Sequence, residues 1–392
     1  MTEDAEVIVV GAGPVGLLTA LGLARAGVSV AVLEAQPRIE DSPRAIVYHW
    51  TVLEELDRLG ILDEAKARGI VKTDYAYRVF ETGEMLYYSI DILADETPYA
   101  YNVHLGQHEL AAIALTHLER HANAAVRWST EVRGLAQDGS GVTVSTVAGE
   151  LRAGWVIGCD GARSTLRKLL GVPFPGMTWP ERFVATNVFY DFQAHGYARA
   201  NFVVHDVHGA VVVKIDERDL WRVTYSEDGA LPEATVGERI AEHYMALLPD
   251  PEQPYELERH QPYRMHQRAA ERFRVGRVLL AGDAAHATNP TGGLGLTSGL
   301  FDSFALAEAL AAVVQDRHSD ALLDRWADQR RRIFLEVASP AASENKRIVY
   351  SEHDPARRRA DIKEIRRQLA DPDALRRRLK FTQLLKSDPL RA

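Results

Sequence analysis

Cysteine is nearly absent: the 392 residues include one, Cys159. No intrachain disulfide can form, and such scarcity fits a reducing, cytoplasmic compartment. A basic excess is also missing. Lysine and arginine total 46 against 55 acidic residues, for a formal net charge of -9, so the molecule as a whole repels nucleic acid and anionic lipid. No apolar run approaches the roughly 18 residues that cross a bilayer. The first residues, Met1-Thr2-Glu3-Asp4, are acidic where a secretory leader is basic. A cytoplasmic protein with neither membrane nor nucleic acid as partner is expected. Internal repeats and low-complexity linkers are lacking too. His117 and His121 stand four apart, but Leu118-Glu119-Arg120 between them does not make HExxH and no third ligand accompanies them, so no metal site is expected.

What is present is patterned. Glu6 to Val10 reads as a buried strand, Val15 to Arg25 as a helix stopped by Gly27, and Val28 to Leu33 as a second strand ending at Glu34. Together they form a βαβ unit. Helices are expected over Thr51 to Leu59 and Glu109 to His121, and strands over Val142 to Val147 and Gly154 to Ile157. After Gly171 the texture changes. Runs with β character at Phe183 to Phe192, Asn201 to Asp206, Ala210 to Ile215 and Leu220 to Tyr225 predict a mostly antiparallel sheet. Arg277 to Ala281 returns to a strand, and Leu296 to Gln315 is rich in alanine and leucine as a helix. From about Leu322 the chain is helical and charged. Arg357-Arg358-Arg359 and Arg376-Arg377-Arg378 alternate with acids and predict a solvated helical face.

The turn Gly11-Ala12-Gly13-Pro14-Val15-Gly16 has a physical reason at each glycine. Gly11 permits the tight turn, Gly13 lets backbone approach a pyrophosphate, and Gly16 lets the helix pack close to the sheet. Phosphates would rest on the helix N-terminus. Glu34 ends the next strand, where a carboxylate accepts hydrogen bonds from a ribose. A carboxylate disfavours a 2′-phosphate but does not separate NAD from FAD.

Two later motifs do. Cys159-Asp160-Gly161-Ala162-Arg163-Ser164 follows a strand; it is either a capped turn or a second nucleotide contact. Gly282-Asp283-Ala284-Ala285-His286 also follows a strand, with Asp283 placed for a sugar-chain hydroxyl. Pro290 then forces a rigid turn, and Gly292, Gly293, Gly295 and Leu296 open the long helix, whose N-terminus can receive the negative charge of a reduced flavin. Three such sites in this order suggest one extended cofactor, FAD.

GAGPVG, CDGARSTLR and GDAAHATNPTGGLGLTSGLFD in sequence resemble the single-component flavoprotein aromatic hydroxylases of the p-hydroxybenzoate hydroxylase type, over nearly the whole chain. The resemblance implies an α/β FAD-binding Rossmann-like domain formed by residues 1–75, 102–175 and 270–320. It implies an inserted, mostly antiparallel β-sheet substrate domain over 76–101 and 176–269, and a helical C-terminal segment over 321–392. It carries FAD-binding roles onto Asp160, Gly161, Arg163, Gly282 and Asp283, with Pro290 by the flavin ring, and more weakly onto Arg44 in Pro43-Arg44-Ala45 and onto Gln107. It implies a cycle in which NADH or NADPH, bound transiently, reduces FAD, O2 adds to give a C4a-hydroperoxide, and one oxygen passes to an aromatic, phenolic small molecule. No second GxGxxG is present, in keeping with transient binding of the donor. A homodimer is compatible with the resemblance.

Where the family often has a second proline, glutamine and asparagine, this chain has Asn289, Leu294 and Thr297. Those changes keep open a flavin-bearing binding protein without turnover; epoxidation or flavin-linked dehydrogenation in the same fold is the other alternative. A phenol reacts faster as a phenolate, so a base or relay is expected on the antiparallel sheet. The candidates are Asn187, Phe189, Tyr190, His205, Tyr225 and His266, with Tyr225 and His266 preferred as catalytic residues.

Overall fold

A computed structural model describes residues 5–41 and 46–388. Strand Ala5–Val10 lies inside a sheet ordered Arg274–Val275, Val278–Leu280, Gly149–Gly158, Ala5–Val10, Val30–Leu33, Ala124–Arg127. From Val278–Leu280 onward neighbouring strands are parallel. Both faces are covered, which is why the strands read as unbroken apolar runs such as Val7 to Val10. Val142–Thr146 and Val132–Gln137 extend the sheet antiparallel from Gly149–Gly158.

Helix Pro14–Arg25 packs against both Gln107–Leu118 and Leu294–Val314. The second contact is close: a Cβ at Gly22 would lie 2.7 Å from that of Ala307. Helix Leu294–Val314 corrects one expectation. It has 21 residues, and an 18-residue window of it with mean hydropathy 1.4 is long and apolar enough to cross a membrane, a fact masked in the sequence by Asp302 and Glu308; yet 72% of that window is buried within the protein. Its apolarity is that of a core helix.

The second sheet runs His286–Ala287, Glu256–Ala269, Gly176–Phe189, Leu220–Asp228, Ala210–Lys214, Ala200–Val204, Asp74–Val79, Met85–Ser89. All pairs are antiparallel except Ala200–Val204 with Asp74–Val79. One face buries Trp221, Val223 and Tyr225 against helix Val236–Leu247. By strand alternation Arg222 and Thr224 face the other way. Strand Glu256–Ala269 was not expected from sequence. It carries many charges and Pro262, because along most of its length it pairs on one side only and is half-exposed. The sheet begins at Asp74 and takes in His286–Ala287, beyond the limits read from sequence.

A three-stranded sheet, Val47–Tyr48, Asn102–His104 and Ile70–Lys72, joins the two layers. Lys72 is fully buried and donates to the carbonyls of Arg199, at 3.1 Å, and of Lys214. Burial pushes its ammonium well below the usual lysine range.

The C-terminal arm comprises helices Ala321–Ile333, Ser339–Lys346, Pro355–Ala370 and Pro372–Leu379, with π-helical turns at Phe334–Ala338 and Arg347–Ser351. It is anchored by Asp302, which is wholly buried. Asp302 Oδ2 accepts from the Gly282 amide at 2.9 Å and lies 2.6 Å from His286 Nε2; Oδ1 accepts from Arg330 Nε at 2.7 Å. Arg330 also donates to the carbonyls of Ser298 and Leu385. His286 is stacked between Phe273 and Phe334. These contacts give it a structural role.

Removing one member of a buried ionic cluster leaves its partners uncompensated. Asp302→Ala is therefore expected to lose about 3–5 kcal/mol of stability in urea unfolding at neutral pH. Although burial opposes ionisation, His286 and Arg330 hold the Asp302 carboxyl down at about 2. A depressed carboxylate stabilises fully above its unfolded value, roughly 4, and loses that contribution as pH falls through about 2. The gap between wild type and variant should narrow over that acid range; a pH-independent gap would contradict this assignment.

Candidate active site

A continuous cavity of about 1660 Å³ is lined by both large sheets, the long helix and the C-terminal arm. Drug-sized ligands need roughly 300–1,000 Å³, so there is room for a dinucleotide and a second small molecule.

One part is a glycine cradle. Gly11 has φ +108, and a Cβ there would stand 2.4 Å from the Cys159 carbonyl oxygen; a Cβ on Gly16 would stand 2.0 Å from the Gly11 carbonyl oxygen. Both are required by packing. Gly13 and Gly161 differ: a Cβ on either would meet nothing within 4 Å, yet both border the cavity. Empty space beside a glycine is what a closely approaching ligand needs. Glu34 is pinned at the cavity edge, its carboxylate accepting from the amides of Ala12 at 2.7 Å and Gln36 at 2.9 Å. Helices Pro14–Arg25 and Leu294–Val314 both begin at this wall, where first-turn amides have no intrahelical partner.

The Asp160 turn proves to be a helix cap. Oδ2 accepts from the amides of Thr165 and Leu166, while Oδ1 is buried with no partner. Arg167 ties this turn to the third motif by donating to the carbonyls of Ala162 and Ala284, both at 2.7 Å. Exposed Arg163 borders the cavity, as do Gly282, Asp283, Pro290, Gly292, Gly293, Gly295, Leu296 and Gln107. Arg44 lies outside the described residues. Cys159 is half-buried, and burial pushes its thiol up. Asn289, Thr297 and Leu294 belong to the loop's own architecture. Asn289 Oδ1 accepts from the Thr291 amide, Thr297 Oγ1 donates to the Gly293 carbonyl, and Leu294 is buried.

The other part is an aromatic chamber. Phe202, Tyr77, Tyr88 and Tyr75 stack in succession, with centroids 5.1, 6.0 and 5.4 Å apart. Beside Tyr75 lies a polar group. Asn102 Nδ2 donates to the Tyr75 hydroxyl at 2.6 Å, and His104 Nε2 lies 3.5 Å from that hydroxyl. Burial first, then the nearby Lys72 and His49, hold the His104 imidazole well below its usual range, so it is neutral at neutral pH. Burial raises the Tyr75 phenol.

The preferred catalytic pair is split. His266 borders the cavity, its Nδ1 2.9 Å from Thr178 Oγ1. Its surroundings are those of the nucleotide motifs: burial first, then Arg268 and Arg163, lower its pKa while Asp283 raises it. Tyr225 is outside the cavity. Strand alternation turns it to the opposite face of the sheet, where its ring lies 4.2 Å from that of His243. Asn187 stands one step behind the wall, accepting from Arg222 Nε at 3.1 Å and donating to Glu258. Phe189, Tyr190 and His205 do not border it. His49, Tyr75, Asn102, His104 and Arg222 do, and none was expected. The signal that could have found Arg222 was the alternation of Leu220 to Tyr225, in which it is the charged residue facing away from the apolar side. His49 Nε2 lies 2.8 Å from the Gly292 carbonyl.

Glycine cradle, converging helix N-termini and adjoining chamber define a flavoprotein with a second ligand site. Residues 4–340 match the FAD binding domain family. The chain belongs to the FAD-dependent aromatic hydroxylases of the p-hydroxybenzoate hydroxylase type. It is 44% identical over 393 residues to 6-hydroxy-3-succinoylpyridine 3-monooxygenase HspB of Pseudomonas putida (strain DSM 28022 / S16), covering 99% of this chain and 100% of that one. It is 47% identical over 362 residues to para-nitrophenol 4-monooxygenase of Pseudomonas sp. (strain WBC-3), covering 91% and 89%. The crystal structure of p-nitrophenol 4-monooxygenase PnpA from Pseudomonas putida DLL-E4 superposes with a TM-score of 0.94 at 45% identity over 99% of both chains. Aklavinone-11 hydroxylase with FAD and aklavinone gives 0.79 at 33% identity, over 90% of this chain and 70% of that one. The enzyme is an FAD-dependent aromatic monooxygenase.

The open space at Gly13 predicts that Gly13→Val folds normally but purifies with FAD content reduced at least about ten-fold, a loss of about 1.4 kcal/mol or more in binding. Absorbance of the purified protein reads this directly; full occupancy would contradict a close cofactor approach at Gly13.

Proposed function

We propose that this enzyme uses NAD(P)H and O2 to hydroxylate a single-ring hydroxyarene, a para-substituted phenol or a hydroxypyridine. The observation that carries the reading is continuity: the glycine cradle opens directly into the chamber walled by Phe202, Tyr77, Tyr88 and Tyr75. The names of the two curated relatives point the same way, since para-nitrophenol and 6-hydroxy-3-succinoylpyridine are both hydroxylated six-membered rings.

FAD, when bound, supplies hydride acceptance and oxygen activation. Gly11, Gly13 and the N-terminus of helix Pro14–Arg25 would hold its pyrophosphate, and Glu34 its ribose. Asp160, Gly161, Arg163, Gly282 and Asp283 would line its midsection, with Gln107 alongside. Pro290, Gly292, Gly293, Gly295 and Leu296 would present the long helix's unpaired amides to the ring, where negative charge develops on reduction. The aromatic wall and the C-terminal arm would shield the reacting ring from water.

Tyr75 and His104 replace Tyr225 and His266 as proton handlers in this reading. The Tyr75 oxygen is held as an acceptor by Asn102, so its own proton is free to pass to His104 Nε2 as a substrate hydroxyl gives up its proton. Tyr75→Phe should lower kcat about 10²-fold for a phenol still protonated at the assay pH, and much less for one already ionised. Equal losses for both would contradict the relay. The substrate class is checked by NAD(P)H oxidation: phenols and hydroxypyridines should accelerate it, and the same rings without the hydroxyl should not. Equal stimulation by both sets would overturn the reading.

A further inference from the structure

The basic run Arg376-Arg377-Arg378 does not stay at the surface as a unit. Arg376 pairs with Asp95 and Glu96, and elsewhere on the arm Arg366 pairs with Glu84 and Arg367 with Glu364. Arg378 turns inward and borders the cavity. Its guanidinium donates to the Tyr77 hydroxyl at 2.5 Å and to Gln368 Oε1 at 2.6 Å, and lies 5.3 Å from the centroid of the Tyr77 ring. One partner is a hydroxyl and the other an amide oxygen. Among the described residues no carboxylate forms an ion pair with it, and Glu364, which acts on it through space, is taken by Arg367 and Gln368.

A guanidinium carries a planar fork of donors matched to two oxygens of one group. These two partners leave most of that fork unused, beside the aromatic stack of the cavity wall. A cation so placed gains most from an anionic guest. The protein as a whole bears a net charge of -9 and repels small anions at long range. Exposed Arg377 borders the same cavity on the same arm and adds a second positive charge near Arg378.

We propose that Arg378, delivered by the C-terminal arm, is a specificity-determining residue that recognises a two-oxygen group, a carboxylate or nitro group, on the aromatic substrate. Tyr77 is the hinge of the arrangement. Its hydroxyl fixes the guanidinium, and its ring belongs to the stack that leads through Tyr88 to Tyr75. A substrate lying along that wall has its oxygen-rich substituent towards Arg378 and its hydroxyl towards Tyr75 and His104. This inference rests on the hydroxyarene reading above and adds an orientation to it.

The test is a titration of the FAD-loaded enzyme, followed by flavin absorbance, with para-hydroxybenzoate, para-nitrophenol and para-cresol. Arg378→Met should raise the apparent Kd of the first two at least about ten-fold, since hydrogen bonds to charged groups are worth about 1.5–3 kcal/mol, and that of para-cresol by less than about three-fold. Arg378→Gln, which keeps a donor for these two partners and loses the charge, should show the same selectivity. Equal losses for all three compounds, unchanged affinities, or loss of FAD from both variants would overturn the proposal, the last by showing a structural residue. Wild type that binds para-cresol and neither of the others would overturn it while leaving the hydroxyarene reading intact. Wild type that binds none of the three would overturn both.

Discussion

Asp302 holds three distant stretches of chain at one carboxylate. Through Oδ2 it fixes the amide of Gly282 and the imidazole of His286, and through Oδ1 the guanidinium of Arg330. Gly282 begins the turn that borders the cavity at Asp283; Asp302 itself lies on the helix whose N-terminus faces the cavity; Arg330 is on the arm that carries Arg378. The pitch of the long helix, the turn before it and the arm beside it are thereby set together. A buried charge is costly unless every partner is in place, and this one has them all. That makes the node intolerant of partial loss, and it makes the cradle and the chamber share one mechanical origin.

Much of the cradle was legible in the sequence because its constraints are local. Gly11 takes a backbone angle and a contact that exclude a side chain, Glu34 must end a strand, and the second strand and first helix must be short enough to bring them together. Each leaves a mark within a few residues. The parallel sheet was legible for a related reason: strands covered on both faces cannot be anything but apolar. Leu294–Val314 shows the limit of that logic, since Asp302 and Glu308 were enough to hide its apolar length.

The chamber was much less legible, because its residues come from strands whose two faces answer to different neighbours. In Leu220–Asp228 the apolar face packs on helix Val236–Leu247 and the other face meets the cavity. Composition alone does not say which is which, and Tyr225 was taken for a cavity residue on chemistry that its register denies it. Strand Glu256–Ala269 went unrecognised because it is charged and half-exposed. His104 and Asn102 sit on a three-residue strand too short to signal itself, and Arg378 was hidden in a run of arginines whose neighbours do pair with acids at the surface. Alternation decides such cases once the packing partner of each strand is known, and a single chain does not supply that partner.

The account's central claim is that one cavity serves both flavin reduction and oxygen transfer to a hydroxyarene. The most direct measurement is turnover under isotopically labelled O2 with a phenol that stimulates NAD(P)H oxidation, followed by mass spectrometry of the product. The account predicts one labelled oxygen atom on the ring and little hydrogen peroxide. Label found only in hydrogen peroxide, with the phenol recovered unchanged, would contradict it.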